Sequence, residues 1–401
     1  MRRNYLISSA LFYFMLSMAS CSTNSSTFNI AATNPSDFAR KAETIEIPLK
    51  SLTGFSREQY EDLFIEDTEG REIPIQLIDT DQDAIDDLLI FQTDLGPGQV
   101  KEFALTVKRS DTSASVPAER TFCRIVPERM DDFAWENDKV AFRTYGPECQ
   151  ELFEAGDPAG LISSGIDCWT KRVDYPIIDK WYSEDKNGKS YHVDHGEGLD
   201  AYHVGTTRGC GGTALVGESE YILSENFNAW KVLANGPVRS VFELKYPPVS
   251  MGNATVVERK RITLDLGAHL YHCEVSYTSQ SSVDLAAVGI ALHQGLGRIT
   301  SNTEEGWVSY WEPYGDSYLG TAILAGPEAI TNVEAGDTLY QDESLNNIWV
   351  HMKVRENRFN YWSGFGWHKS GLFDSAEDWE DYLKKESFKR RDPVQVKITK
   401  N

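Results

Sequence analysis

The chain has 401 residues, with 61 acidic against 39 basic side chains, a formal net charge of −22, and a composition 41% hydrophobic and 11% aromatic. That is enough apolar matter for an extensive core, while a field of this sign repels phosphate backbones and argues against nucleic acid as a partner. It also opposes long polyanionic glycans, unless a local basic patch or a bound cation compensates.

Arg2-Arg3 precede an apolar run, Tyr5 to Met18, that ends at Ala19-Ser20-Cys21. A short positive region, an apolar stretch and small residues before a cysteine describe a lipoprotein-type signal peptide over 1–21. Cys21 is then the lipidated first residue of the mature protein. The run is short for a membrane span, so the expectation is a bacterial envelope lipoprotein held only by its lipid, on the periplasmic or cell-surface face of the outer membrane. The polar stretch 22–41 reads as a flexible tether.

From 42 to 112, short alternating runs such as Thr44–Leu49, Glu72–Ile78, Leu88–Phe91 and Lys101–Val107 are separated by Glu69-Gly70 and Gly96-Pro97-Gly98. Period two with Gly/Pro punctuation predicts a small β-sandwich; Ser56 to Tyr60 reads as one helical turn. Within it, Asp79, Asp81 and Asp83 have the alternate spacing that lets carboxylates converge on a calcium ion. The EF-hand form needs Gly and Glu where Ala84 and Ile90 stand, so an acidic hairpin turn competes with the calcium reading. No other cofactor is indicated.

Ser110 to Ala118 reads as a linker. From 119 to 398, the runs Phe122–Val126, Val238–Tyr246, Thr255–Leu266, Leu270–Tyr277, Ala287–Leu292, Tyr318–Leu324 and Asn347–Val354 all read as strands. One helix stands out at 375–385, capped by Ser375 and closed by lysines. The fold class is therefore all-β: a small sandwich followed by a large two-sheet sandwich with a concave face. Cys123, Cys149, Cys168, Cys210 and Cys273 are odd in number and lack CxxC spacing, which leaves a zinc ribbon unsupported. Cys149 with Cys168 is the first disulfide candidate, and burial as small apolar residues is the alternative for Cys168 and Cys210.

The stretch 191–212 holds His192, His195, His203, Asp194, Glu197, Asp200, Tyr191 and Tyr202 among glycines. It has no periodicity, and such loops concentrate function. Imidazole, carboxylate and phenol are the groups that move protons. Four stretches, Tyr175–Tyr182, His195–Gly205, Asn235–Arg239 and Tyr361–Gly371, together resemble a family of exported lipoproteins of unknown function from bacteria that degrade plant and algal polysaccharides. The resemblance covers essentially all of 40–390. It implies a galactose-mutarotase-like β-supersandwich and a setting near pectin- or uronide-degrading enzymes, and carries no catalytic assignment.

The residues themselves nominate His195, Glu197, Asp200 and Tyr202 as catalytic. Lys171, Trp181, Tyr182, His192, His203, Arg208, His293, Trp362, Trp367, His368 and Lys369 are nominated as substrate-binding, because sugar sites combine aromatic faces with polar groups and a uronate adds a need for cations. A metal at Asp194, His195 and Asp200 finds no HxH or HExxH spacing to support it. The function expected is proton-transfer chemistry on uronate-containing oligosaccharide or polysaccharide, as a lyase, then an epimerase or mutarotase, then a hydrolase. A non-catalytic glycan-binding lipoprotein is the alternative.

Overall fold

The computed structural model describes residues 27–107, 120–335 and 339–400. The signal segment, Cys21 and the 110–118 linker lie outside the described residues.

The small sandwich comprises β1 (Phe28–Thr33), β2 (Arg40–Pro48), β3 (Leu63–Asp67), β4 (Glu72–Ile73), β5 (Ile75–Ile78), β6 (Leu88–Leu95) and β7 (Val100–Val107). Alternation does the work: Phe28, Ile30 and Ala32 of β1 are buried while Asn29, Ala31 and Thr33 are half-buried. They meet Ile45, Ile47, Ile65, Leu89, Phe91, Phe103 and Leu105 in one core. The predicted helical turn is a 3-10 helix, Arg57–Asp62, closed by a capping box of Ser56 and Gln59.

Two boundaries differ from expectation. Phe28–Thr33 is a paired strand rather than tether, because its apolar parity has a core to enter. The last strand of the chain returns to pair with β1 instead of finishing the large sandwich.

The large part begins with β8 (Phe122–Val126), β9 (Asp132–Glu136), β10 (Ala141–Thr144), α1 (Pro147–Glu154), β11 (Ile166–Lys171), α2 (Ile178–Lys186), β12 (Gly198–Leu199) and β13 (Cys210–Val216). It continues through β14 (Tyr221–Ile222), β15 (Ala229–Ala234), β16 (Arg239–Lys245), β17 (Val249–Met251), β18 (Ala254–Asp265), β19 (Leu270–Ser279), β20 (Leu285–Ala291) and β21 (Arg298–Asn302). It closes with β22 (Trp307–Tyr314), β23 (Ser317–Leu324), β24 (Ile330–Ala335), β25 (Asn347–Lys353), β26 (Arg358–Trp367) and α3 (Ala376–Arg391), before β27 (Gln395–Lys400) joins the small sandwich.

Antiparallel pairing builds a long sheet, β15-β16-β18-β19-β26-β23-β22-β21, with β17 on β18. Two shorter sheets, β14-β13-β20-β25-β24 and β12-β11-β10-β9-β8, also contribute to the main core. The all-β class is the observed one. Two short helices, α1 and α2, sit in the Gly- and aromatic-rich region that read as non-periodic; at 8 and 9 residues each depends on tertiary contacts for its stability. The N–H groups of Ile177 and Ile178, at the start of α2, donate to the buried Glu136 carboxylate at 2.9 Å.

The outward face of the long sheet is only half covered. α3 begins at Ser375, whose hydroxyl accepts the Asp378 N–H at 3.2 Å, and buries Trp379 and Leu383 against Trp307, Trp311 and Leu324. Glycines make the close approach: a Cβ at Gly320 would stand 2.6 Å from Trp379. The outward face of β16, β18, β19 and part of β26 is left open beside it. The expected Cys149–Cys168 bridge is not formed. Cys149 and Cys168 are free thiols, both buried, and pack as small apolar side chains of the main core.

Candidate functional site

The His/carboxylate loop folds over the outer face of β11. Trp169 on that strand stacks with Trp181 at 5.6 Å and Tyr191 at 4.8 Å, and Tyr182 closes the same cluster. Trp181 and Tyr182 are thus core rather than open platforms. Lys171 is buried, its ammonium bonded to Glu136 at 2.9 Å and to the Asn137 and Tyr175 carbonyls at 2.8 Å. It braces the start of α2 and has no reach to a substrate.

Glu197 accepts from Lys180, from the Tyr175 hydroxyl and from Trp181 Nε1. Partial burial works against its charge, yet these three donors bring its pKa down to about 2. His195 is exposed and lies 3.1 Å from the Ser190 carbonyl. The hollow that His195 and Glu197 share has a volume of about 10 Å³, room for about one water.

Asp200 is buried, 3.2 Å from Arg143. Burial, and then the neighbouring Asp167, push its carboxyl well above the usual range. His192 Nδ1 stands 2.8 Å from the Asp200 carbonyl. The Tyr202 ring is buried edge-on to His293 at 4.6 Å. His293 is clamped between Glu312 (2.7 Å) and the His203 carbonyl (2.8 Å), while His203 pairs with Glu343 at 2.9 Å. Asp200 and Tyr202 are thus buried among their partners, while His195 and Glu197 share the small hollow.

Arg208 is fully buried, bonded to Ser164 and the Thr206 carbonyl; burial lowers its pKa to about 10 despite Glu258. It is an internal tie, not a surface clamp. Lys369 pairs with Asp316, and His368 lies 3.4 Å from Ser317. Arg172 pairs with Asp194 and lies over the Trp367 ring at 5.3 Å, so the loop does reach Trp367. Trp362 does not join it. Residues 362 and 367 have opposite parity on β26, and alternation sends them to opposite faces of the sheet.

On the open face lies a cleft of about 1010 Å³, at the upper end of the ~300–1,000 Å³ usual for ligand sites. Its floor is set by register. Glu243 pairs with Arg261, Arg261 with Glu274 and Glu274 with Asn360, while Arg259 pairs with Ser276 and Ser276 with Arg358. The end of α3 brings Arg390 and Arg391, and the β25–β26 turn brings Lys353 and Arg355. In a chain of net charge −22, this lining carries seven cationic and three acidic side chains.

Arg259 and Arg261 share Glu243 at 2.9 and 3.0 Å. Arg390 pairs with Glu386 at 2.8 Å and lies 4.6 Å over the Trp362 ring, which also stacks with His272 at 4.3 Å. Lys353, Arg355 and Arg358 have no ion pair among the described residues. Arg355 and Arg358 exchange backbone hydrogen bonds of 2.9 Å across a turn whose central residues, Glu356 and Asn357, have φ of 51° and 58°. This is the left-handed geometry of a tight hairpin, and it sets two like charges directly opposite each other, an arrangement that costs stability.

A model of the family described as Domain of unknown function (DUF4861) matches residues 32–396. The chain belongs to that family. It is 41% identical over 374 residues to "Uncharacterized protein P7" of Formosa agariphila, covering 92% of this chain and 93% of that one. Among solved structures, similarity is found to a protein in the glycosyl hydrolase family 38 from Enterococcus faecalis, with a TM-score of 0.48, 10% identity and 93% of this chain covered. An alpha-mannosidase from Enterococcus faecalis V583 gives a TM-score of 0.45 at 8% identity, again over 93% of this chain. The chain spans about half the length of these two structures, 47% and 46%.

Within this member of the family, the cleft residues are ones that sequence reasoning did not nominate, apart from Trp362. A signal was present: Arg259 and Arg261 on β18, Glu274 and Ser276 on β19, and Arg358 and Asn360 on β26 all occupy the polar parity of their strands. What was missing was the pairing of β19 with a strand some 90 residues later. Of the three aspartates considered for calcium, Asp79 and Asp81 do approach each other, and the third partner is Asp87, with oxygens all within 4.8 Å. Asp83 instead accepts the Ile85 N–H at 2.9 Å, inside its own turn.

Proposed function

We propose that this protein takes acidic saccharides, of the uronate type, into the cleft on the outward face of β18, β19 and β26. The observation that carries the reading is the set of unpaired cations, Lys353, Arg355 and Arg358, lining a ligand-sized cleft of an acidic protein. Guanidinium groups match carboxylate and sulfate geometry through paired hydrogen bonds. An opposed arginine pair costs stability in the free protein, which an anion would recover on binding.

Proton transfer is the second reading, and it rests on His272, which adjoins the cleft through its stacking on the lining residue Trp362 at 4.3 Å. Burial lowers its pKa despite neighbouring Glu274, so the imidazole is neutral at pH 7 and able to accept a proton beside Asn360 (3.4 Å). Abstraction of a proton α to a cation-neutralised carboxylate leads to β-elimination or epimerisation. The envelope setting and the lipid on Cys21 belong to the same proposal, and mass measurement of the mature N-terminal peptide tests them.

Titration of the purified protein with oligogalacturonate, a sulfated galactan oligosaccharide and a neutral oligosaccharide tests the main reading. Binding of one or both acidic probes, reduced ~10-fold or more in Arg355→Ala/Arg358→Ala, is expected. Equal binding of the neutral probe would reject it. New absorbance of an unsaturated uronide, or altered anomeric NMR signals, lost in His272→Ala, marks an enzyme. Saturable binding without either change marks a binding protein.

A further inference from the structure

We infer that the cleft selects short acidic oligosaccharides and rejects long polymers of the same sugars, so that the protein works downstream of a depolymerising reaction. This rests on the acidic-saccharide reading above and adds chain length to it. The cleft has a local excess of cations in an acidic chain: with the net charge at −22 and the lining in cationic excess, the balance of charge beyond it is more acidic still.

The β18 side of the cleft also adjoins an acidic segment. Arg261 Nη1 lies 3.4 Å from the Thr80 carbonyl, so the turn carrying Asp79, Asp81, Asp83, Asp86 and Asp87 stands beside the arginine row. Asp81 and Asp83 are exposed on it. Exposed charges act over about 10 Å at 0.1 M salt. An oligosaccharide contained within the cleft therefore feels mainly Arg259, Arg261, Arg355, Arg358 and Arg390. A polymer that runs past the β18 side must lie along carboxylates of its own sign. Attraction inside and repulsion outside together make a length filter.

The class of reaction that supplies such a ligand follows from its chemistry: eliminative or hydrolytic cleavage of an acidic polysaccharide, which leaves short charged fragments. The test measures binding of trigalacturonate and of polygalacturonate to the soluble protein, in EDTA, at low salt and at high salt. The expected result is binding of the trimer at least ~10-fold tighter than that of the polymer per binding site at low salt. The gap should shrink above about 0.1 M salt as screening sets in. Asp81→Asn/Asp83→Asn keeps the side-chain acceptors of the turn while removing two charges, and should narrow the gap by raising polymer binding without altering trimer binding. Polymer binding on a par with the trimer at low salt would overturn length selection alone. Absence of binding by either would sink the cleft reading and the filter together.

Discussion

Lys171 and Glu197 show how residue type without environment misleads. Both are charged and stand beside a glycine-rich loop, yet each is consumed by neighbours. Removing the Lys171 charge leaves the Glu136 carboxylate buried and unpaired, so Lys171→Met should cost about 3–5 kcal/mol in urea unfolding. Glu197→Gln reads the other residue. The folded-state pKa of Glu197, about 2, lies below the usual 4.5, so its stabilisation is present above 4.5 and lost as pH falls through 2. The variant should therefore show a shallower loss of Tm over that acid range. An unchanged slope would place the carboxylate outside the Lys180–Tyr175–Trp181 cradle. These roles were not legible from sequence, because each partner lies on another element.

At the scale of elements, strands and the long helix were legible because period two, and a Ser375 cap with lysines at the far end, are local signals. Helix α2 was not, since a remote Glu136 carboxylate holds its first N–H groups; α1 was missed although Pro147 at its N-terminus is a local signal. The same logic separates two tests. Ser375→Ala should lower stability by about 1 kcal/mol, the usual value of an N-cap. Gly320→Ala pushes a Cβ against Trp379 and should cost about 1–3 kcal/mol by overpacking, with a change in near-UV circular dichroism of the tryptophans. Deleting 395–400 removes β27 and bares the edge of β1, which should promote aggregation of the small sandwich.

For the whole molecule, two buried carboxylates, Asp132 and Asp200, contribute stability on the acid side. Burial raises the Asp132 pKa to about 6, against the pull of Arg143 and Arg129. A raised folded-state pKa means its contribution is complete below the unfolded value of 3.8 and is lost as pH rises through 6. Asp200 is shifted in the same direction. Buried His269, its pKa lowered by burial to about 4, loses stability as pH falls over the same range, so the test is differential: between pH 7 and 4.5, Tm of Asp132→Asn should rise less, or fall more, than that of the parent. An unchanged pH dependence of Tm in Asp132→Asn would contradict the assignment.

The amino-acid sequence by itself determined the all-β class, the alternation that buries each strand's apolar parity, the cap of α3 and the strongly acidic field, because each is set by neighbours in the chain or by composition alone. Only the tertiary structure decided where charge collects. Arg259, Arg261, Arg358 and Arg390 come from two strands and a helix far apart in sequence, and hydrogen-bond register, a long-range property, is what gathers them. The same long-range packing turned the conspicuous histidine loop into the brace of a core.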